Sequence, residues 1–156
     1  MKLEVNINNI EETEQLALKL GSLISGGTVI LLKGNLGSGK TTFTQCLGIA
    51  LGVRRRMSSP TFNIIKSYNA KNFVVHHMDC YRLENSDEDL GFDEYFNEQE
   101  VSIIEWPDFI EEFLPDEYLS VTIEKTVGDG RLFTFESNCV KYDSVLEALQ
   151  NVIPSN

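Results

Sequence analysis

Apolar residues recur along the chain with two periods, and the period changes where one element gives way to the next. Leu3, Val5 and Ile7 alternate with polar residues, which predicts an edge strand. From about Ile10 to Ile24 the spacing turns helical, with Leu16, Leu20, Leu23 and Ile24 in phase and Gly26-Gly27 as the stop. Thr28 to Lys33 is a short apolar, β-branched run that reads as a buried strand, and Thr42 to Leu51 resumes helical spacing, ending near Gly52. Pro60 holds Ser59 out of the α region, so a loop leads into a strand over Phe62 to Tyr68. Asn69 to Asn72 is a turn, and Phe73 to Asp79 is the returning strand of a hairpin. Glu84 to Gln99 is acidic with scattered aromatics, the pattern of short helices and loops. Val101 to Glu105 is a second compact strand, stopped by Trp106-Pro107, and Asp108 to Phe113 predicts a helical turn. Tyr118–Lys125 and Arg131–Glu136 flank a turn at Val127–Gly130 and predict a second hairpin, with a closing helix from Tyr142 to Val152. No repeat, low-complexity tract or linker interrupts this series, so one domain over residues 1–156 is expected.

One stretch carries chemistry outright. Gly34-Asn35-Leu36-Gly37-Ser38-Gly39-Lys40-Thr41 fits the phosphate-binding pattern GxxxxGK[ST] at every fixed position, between a predicted strand and a predicted helix. The glycines let main-chain N–H groups approach phosphate oxygens with no Cβ in the way. The helix start adds unpaired N–H groups and the positive end of its dipole. Lys40 is expected to reach the β- and γ-phosphates, and the Thr41 hydroxyl to ligate Mg²⁺. The expected fold is α/β: a three-layer P-loop NTPase-like fold, with a mixed, mostly parallel central sheet and antiparallel hairpins.

A nucleotide hydrolase also needs acids near the metal and a group that senses the γ-phosphate. Two apolar strands end in an acid, Asp79 and Glu105, and in a parallel sheet both would reach the crevice at the strands' carboxyl ends. Glu105 has the better case for the metal, because Val101–Ile104 is the more uniformly apolar strand. Thr61 is a candidate switch residue, since a loop hydroxyl can hold Mg²⁺ or the γ-phosphate and release after hydrolysis. His76 and His77 are adjacent on a strand and face opposite ways, so they read as structural or surface histidines and not as a metal pair. Trp106 either packs or anchors an interface.

Composition narrows the partners. The net charge is −11, and no Lys or Arg occurs between Arg82 and Lys125. Unaided binding to nucleic acid normally requires a basic footprint, so it is not expected here. The acidic interval is either a solvated surface or a face for a basic protein partner. Arg54-Arg55-Arg56 is the one basic cluster, an exposed loop or a contact to a partner or to RNA that a partner holds. Cys46, Cys80 and Cys139 form no CxxC and read as reduced thiols. Met1 to Val5 lacks the basic start and apolar core of a signal peptide, and no run approaches the ~20 apolar residues that span a bilayer, so a cytoplasmic protein without membrane contact is expected.

Taken together, Gly34–Thr42 (GNLGSGKTT), Ser59–Phe62 (SPTF), His77–Leu83 (HMDCYRL) and Ile104–Pro107 (IEWP) resemble the TsaE (YjeE) family, the bacterial ATPases of tRNA threonylcarbamoyladenosine biosynthesis. The resemblance implies that Gly37, Ser38, Gly39, Lys40, Thr41 and Thr42 wrap the phosphates of ATP. It implies that Thr41 and Glu105 serve Mg²⁺, that Asp79 lies at the nucleotide and matters for hydrolysis, and that Thr61 belongs to the switch loop. Thr13 and Arg131 resemble the family's positions close to the nucleoside. The implied partners are TsaD-like and TsaB-like proteins, with tRNA met only through their complex and turnover low without them. The Arg54–Arg56 cluster has no counterpart among these roles.

Two other readings stay open on the residues alone. A small P-loop kinase would need an Arg-bearing lid, which the stretch between Arg82 and Lys125 does not offer. A nucleotide-gated binding module with negligible turnover would have the same loop. A GTPase is disfavoured, because neither NKxD nor DxxG occurs.

Overall fold

The computed structural model describes residues 1–35, 37–60, 63–84, 86 and 89–153. Its centre is a seven-stranded sheet in the order β1-β7-β6-β2-β5-β4-β3. The strands are β1 (Lys2–Ile7), β2 (Val29–Lys33), β3 (Ile65–Asn69), β4 (Val74–Asp79), β5 (Glu100–Glu105), β6 (Leu119–Lys125) and β7 (Arg131–Ser137). The four central strands β6, β2, β5 and β4 run parallel to one another, and β3, β7 and β1 pair antiparallel at the flanks. Burial follows this plan. β2 and β5 are buried on both faces, whereas β1 at the edge alternates exposed and buried residues.

Three helices, α1 (Ile10–Gly21), α2 (Lys40–Ala50) and α3 (Val140–Val152), cover one face. The larger apolar core lies there, joining Leu16, Leu20, Phe43, Leu47, Tyr142 and Leu146 to Ile30, Leu32, Val101, Ile103 and Phe133 of the sheet. Each such side chain, fully buried, is worth up to about 1.5–3 kcal/mol. The opposite face carries a smaller core of Val29, Leu31, Met78, Phe92, Ile104 and Ile110. Its cover is made of 3-10 segments at Tyr81–Leu83, Phe92–Tyr95 and Pro107–Phe113, the form that the expected short helices take.

Two of the boundaries that differ from the periodicity have a visible cause. α1 ends at Gly21 and not at Ile24, because Ser22 caps it: its N–H donates to the Leu18 and Leu20 carbonyls and its hydroxyl donates to the Lys19 carbonyl. Gly21 is required there for a second reason. A Cβ would stand 2.6 Å from the Ala50 Cβ, so the glycine lets α1 and α2 close. β3 starts at Ile65, since Ile64 has a left-handed backbone (φ 64°) that breaks the extended run, and Phe62, the expected first residue, lies outside the described residues. No helix among the described residues is long and apolar enough to cross a membrane.

Candidate functional site

β2, the loop after it and α2 form one continuous strand–loop–helix unit. The loop's geometry depends on its glycines. At Gly34 a Cβ would meet the Ile123 carbonyl oxygen and the Ser38 Oγ at 2.6 Å each, and Gly37 and Gly39 have φ of 77° and 108°.

The start of α2 is unlike the start of α1. In α1 the Asn9 side chain accepts from the Glu12 N–H at 2.9 Å, Glu12 accepts from the Asn8 N–H at 2.8 Å, and two acids occupy the first turn. α2 has Gly39 as its cap, no side-chain cap bond and no acid in its first turn. Its first amides have no intrahelical acceptors and face a position suited to an anion. Ser38 Oγ is buried without a partner in the structure, and Lys40 is buried at 7% exposure. The donor set fits a polyphosphate: a glycine cradle, free amides, an ammonium and an unpartnered hydroxyl.

Cavities flank the loop on two sides. One, of about 460 Å³, is lined by Gly34, Asn35, Ser38 and Lys40 with Trp106–Asp108 and Thr122–Lys125. The other, of about 470 Å³, brings Thr13 and Arg131 together with Ser38, Gly39 and Thr42. Thr13 comes from the inner face of α1 and Arg131 from the start of β7, so sequence positions 118 residues apart (131 minus 13) meet beside the loop. Arg131 Nε donates to the Ser38 carbonyl at 2.7 Å and Nη1 donates to the Gly130 carbonyl at 2.8 Å. Its register partner on β6 is Lys125, whose Nζ lies 3.6 Å from where a Cβ would stand at Gly37.

Asp79 and Glu105 are direct partners across the parallel pair β4–β5, and Glu105 is in turn level with Leu32 of β2. Both acids therefore sit at the carboxyl ends of strands beside the loop, where such sheets bind ligands. They differ in surroundings. Asp79 is half-buried and its Oδ1 accepts from the Tyr81 N–H at 3.1 Å, whereas Glu105 is 5% exposed and its Oε2 lies 2.7 Å from His77 Nε2. Cys80, packed next to them, has its thiol pushed up to about 12 by burial first and by the charges of Asp79 and Glu105 second. It is held as the neutral thiol. Thr41 is exposed in the first turn of α2. Thr61 lies outside the described residues.

Three participants were not anticipated from the chain. Of the two expectations for the histidines, structural or surface, burial supports the first, but the partner of His77 was not foreseen. Both histidines are buried, at 4% and 1% exposure, and they do face opposite ways: His76 meets Ser67 Oγ (2.7 Å) and the Tyr95 ring, while His77 reaches Glu105. The signal was present, because period two puts His77 and Asp79 on the same side of β4. Trp106 packs against Phe109, with ring centroids 5.8 Å apart, and its own ring centroid lies 4.3 Å from Lys40 Nζ. Lys125 joins through a hairpin register that spacing along the chain does not specify.

The chain is similar to known proteins along most of its length. A family model described as "Threonylcarbamoyl adenosine biosynthesis protein TsaE" matches residues 7–133. The tRNA threonylcarbamoyladenosine biosynthesis protein TsaE of Bacillus subtilis (strain 168) is 44% identical over 141 residues, covering 90% of this chain and 89% of the relative. Its counterpart in Rickettsia conorii is 35% identical over 135 residues, covering 85% and 77%. The crystal structure of Bacillus subtilis YdiB matches with a TM-score of 0.84 at 37% identity, covering 97% of this chain and 95% of that one. With a family match across most of its length and relatives of this identity, the chain belongs to the TsaE family of tRNA threonylcarbamoyladenosine biosynthesis proteins.

Proposed function

We propose that the chain is a Mg²⁺-dependent ATPase whose nucleotide cycle supports threonylcarbamoyladenosine modification of tRNA by acting on a TsaD/TsaB-type complex. The observation that carries this reading is the start of α2, uncapped and free of acids, with buried Lys40 beside it and a cavity on either side. In this reading the amides of Gly37 to Thr42 bind the phosphates, and Lys40 leaves the Trp106 ring to pair with the β- and γ-oxygens. Thr41 and Glu105 would hold Mg²⁺, which when bound neutralises charge on the β- and γ-phosphate oxygens. Asp79, more exposed than Glu105 and accepting the Tyr81 N–H through Oδ1, would orient the attacking water. The cavity lined by Thr13 and Arg131 would take the nucleoside, and Thr61 would answer to the γ-phosphate. ATP is preferred to GTP because the guanine-reading NKxD is missing from the sequence.

The test is direct. Lys40→Ala should weaken ATP binding, measured by calorimetry, by at least about 100-fold, equivalent to roughly 2.7 kcal/mol. An unchanged dissociation constant would remove the basis of the reading. With TsaD and TsaB homologues added, phosphate release by the parent should rise and that by Lys40→Ala should not.

A further inference from the structure

We propose that His77 is a positioning residue for Glu105, fixing the carboxylate on the side of the sheet where the magnesium is to be met. The inference rests on the reading of Glu105 as a magnesium-side group. His77 on β4 is level with Ile103 of β5, and Glu105 is two residues further along β5 on the same face. The imidazole therefore reaches diagonally up one pleat, and Nε2 meets Oε2 at 2.7 Å.

Three observations separate this contact from ordinary packing. Both side chains are nearly out of solvent, at 2% and 7% exposure, so the carboxylate needs a donor to be tolerated there. An N–H donated to a carboxylate is among the stronger hydrogen bonds, and among the described residues no other group bonds to this one. The ring makes the contact although its other nitrogen, Nδ1, is buried with no partner in the structure. An apolar side chain would fill the same space without that unsatisfied atom. The cost is offset by what the ring does to its neighbour. A glutamate has three rotatable bonds and loses up to about 2 kcal/mol of rotamer entropy when fixed, whereas a histidine inside a sheet is already fixed by packing. Holding Oε2 from an adjacent strand leaves Oε1 for a cation.

The experiment uses Mn²⁺ as the metal and ADP as the nucleotide, so that no hydrolysis is needed. Mn²⁺ affinity of the ADP complex is read by electron paramagnetic resonance for the parent, Glu105→Gln, His77→Gln and His77→Leu. ADP affinity without metal and thermal midpoints are measured alongside. Glu105→Gln and His77→Leu should each weaken Mn²⁺ binding about tenfold, the lower end of what losing an outer partner of a metal ligand costs. Combining them should cost little more. His77→Gln, whose amide N–H reaches about as far as Nε2, should stay within about threefold of the parent. If His77→Leu does not fold, His77→Met, similar in volume and without a donor, replaces it. A Glu105→Gln variant that binds Mn²⁺ like the parent overturns the magnesium reading of Glu105 and this proposal with it. A weakened Glu105→Gln beside an unaffected His77→Leu overturns the positioning role alone. Equal losses in His77→Gln and His77→Leu overturn it too, since ring volume and not the donor would then matter.

Discussion

At the scale of single residues, Trp106 occupies a conformation that demands an explanation. It has φ 57° and ψ 52°, a left-handed backbone that a bulky side chain adopts at a cost of about 1–3 kcal/mol. The reason is the change of direction between buried β5 and the Pro107–Phe113 segment, made in one residue. The ring recovers part of that cost through Phe109, through Tyr81 at 5.0 Å and through the Lys40 ammonium, a contact worth about 0.5–2 kcal/mol. In the proposed cycle Lys40 leaves the ring for the β- and γ-phosphates, so nucleotide binding should empty the contact. Trp106 is the only tryptophan, which makes the exchange visible. Its emission should change in intensity on titration with ATP, saturate with the calorimetric affinity, and stay flat for Lys40→Ala. Flat emission from the parent at saturating ATP would mean that the lysine keeps its place.

Among the elements, the β6–β7 hairpin supports the loop from outside the strand–loop–helix unit. Arg131 starts β7, and its guanidinium ties the Ser38 carbonyl while lining the same cavity as Thr13. A hydrogen bond from a charged group contributes about 1.5–3 kcal/mol. Arg131→Ala should therefore lower ATP affinity roughly tenfold, with Arg131→Lys intermediate because a point charge cannot reproduce the fork. The bond is already made without nucleotide, so its loss should also lower the thermal midpoint by several degrees, at about 2–4 °C per kcal/mol. Affinity equal to the parent's would assign Arg131 to the hairpin alone. The hairpin itself was legible, because two alternating runs enclose Val127–Gly130, and so was the loop, because its glycines and lysine are contiguous. What was not legible is non-local. Where β3 starts depends on one left-handed residue, Ile64, and how closely α1 packs on α2 depends on Gly21 facing Ala50. His77 looked like a strand histidine without a special partner until β5 supplied Glu105 one pleat further along. Period and spacing describe one element at a time, and these features each belong to two.

For the molecule as a whole, charge decides how it can meet RNA. A net charge of −11 repels a polyanion, and the Debye length of about 8 Å at physiological salt confines any local attraction to the patch that produces it. Arg54, Arg55 and Arg56 are that patch, exposed beyond the carboxyl end of α2. Eleven helical residues at about 1.5 Å each separate them from the loop by roughly 16 Å, so they take no part in the nucleotide site. Two of them already have neighbours: Arg55 reaches the Ser67 carbonyl (3.5 Å) and the Tyr68 ring, and Arg56 reaches the Gln45 side chain (3.4 Å). Three clustered cations release few counterions, and affinity for nucleic acid scales with that release. The isolated protein should therefore bind tRNA more weakly than about 10⁻⁴ M at ~150 mM salt, the weak end of non-specific binding, as read by mobility shift. Charge reversal of the cluster, Arg54→Glu with Arg55→Glu and Arg56→Glu, should change nothing in that assay while leaving ATP affinity intact. Micromolar binding by the parent that falls steeply with salt and vanishes in the triple variant would make the cluster an RNA contact, and the protein would then reach tRNA without an intermediary.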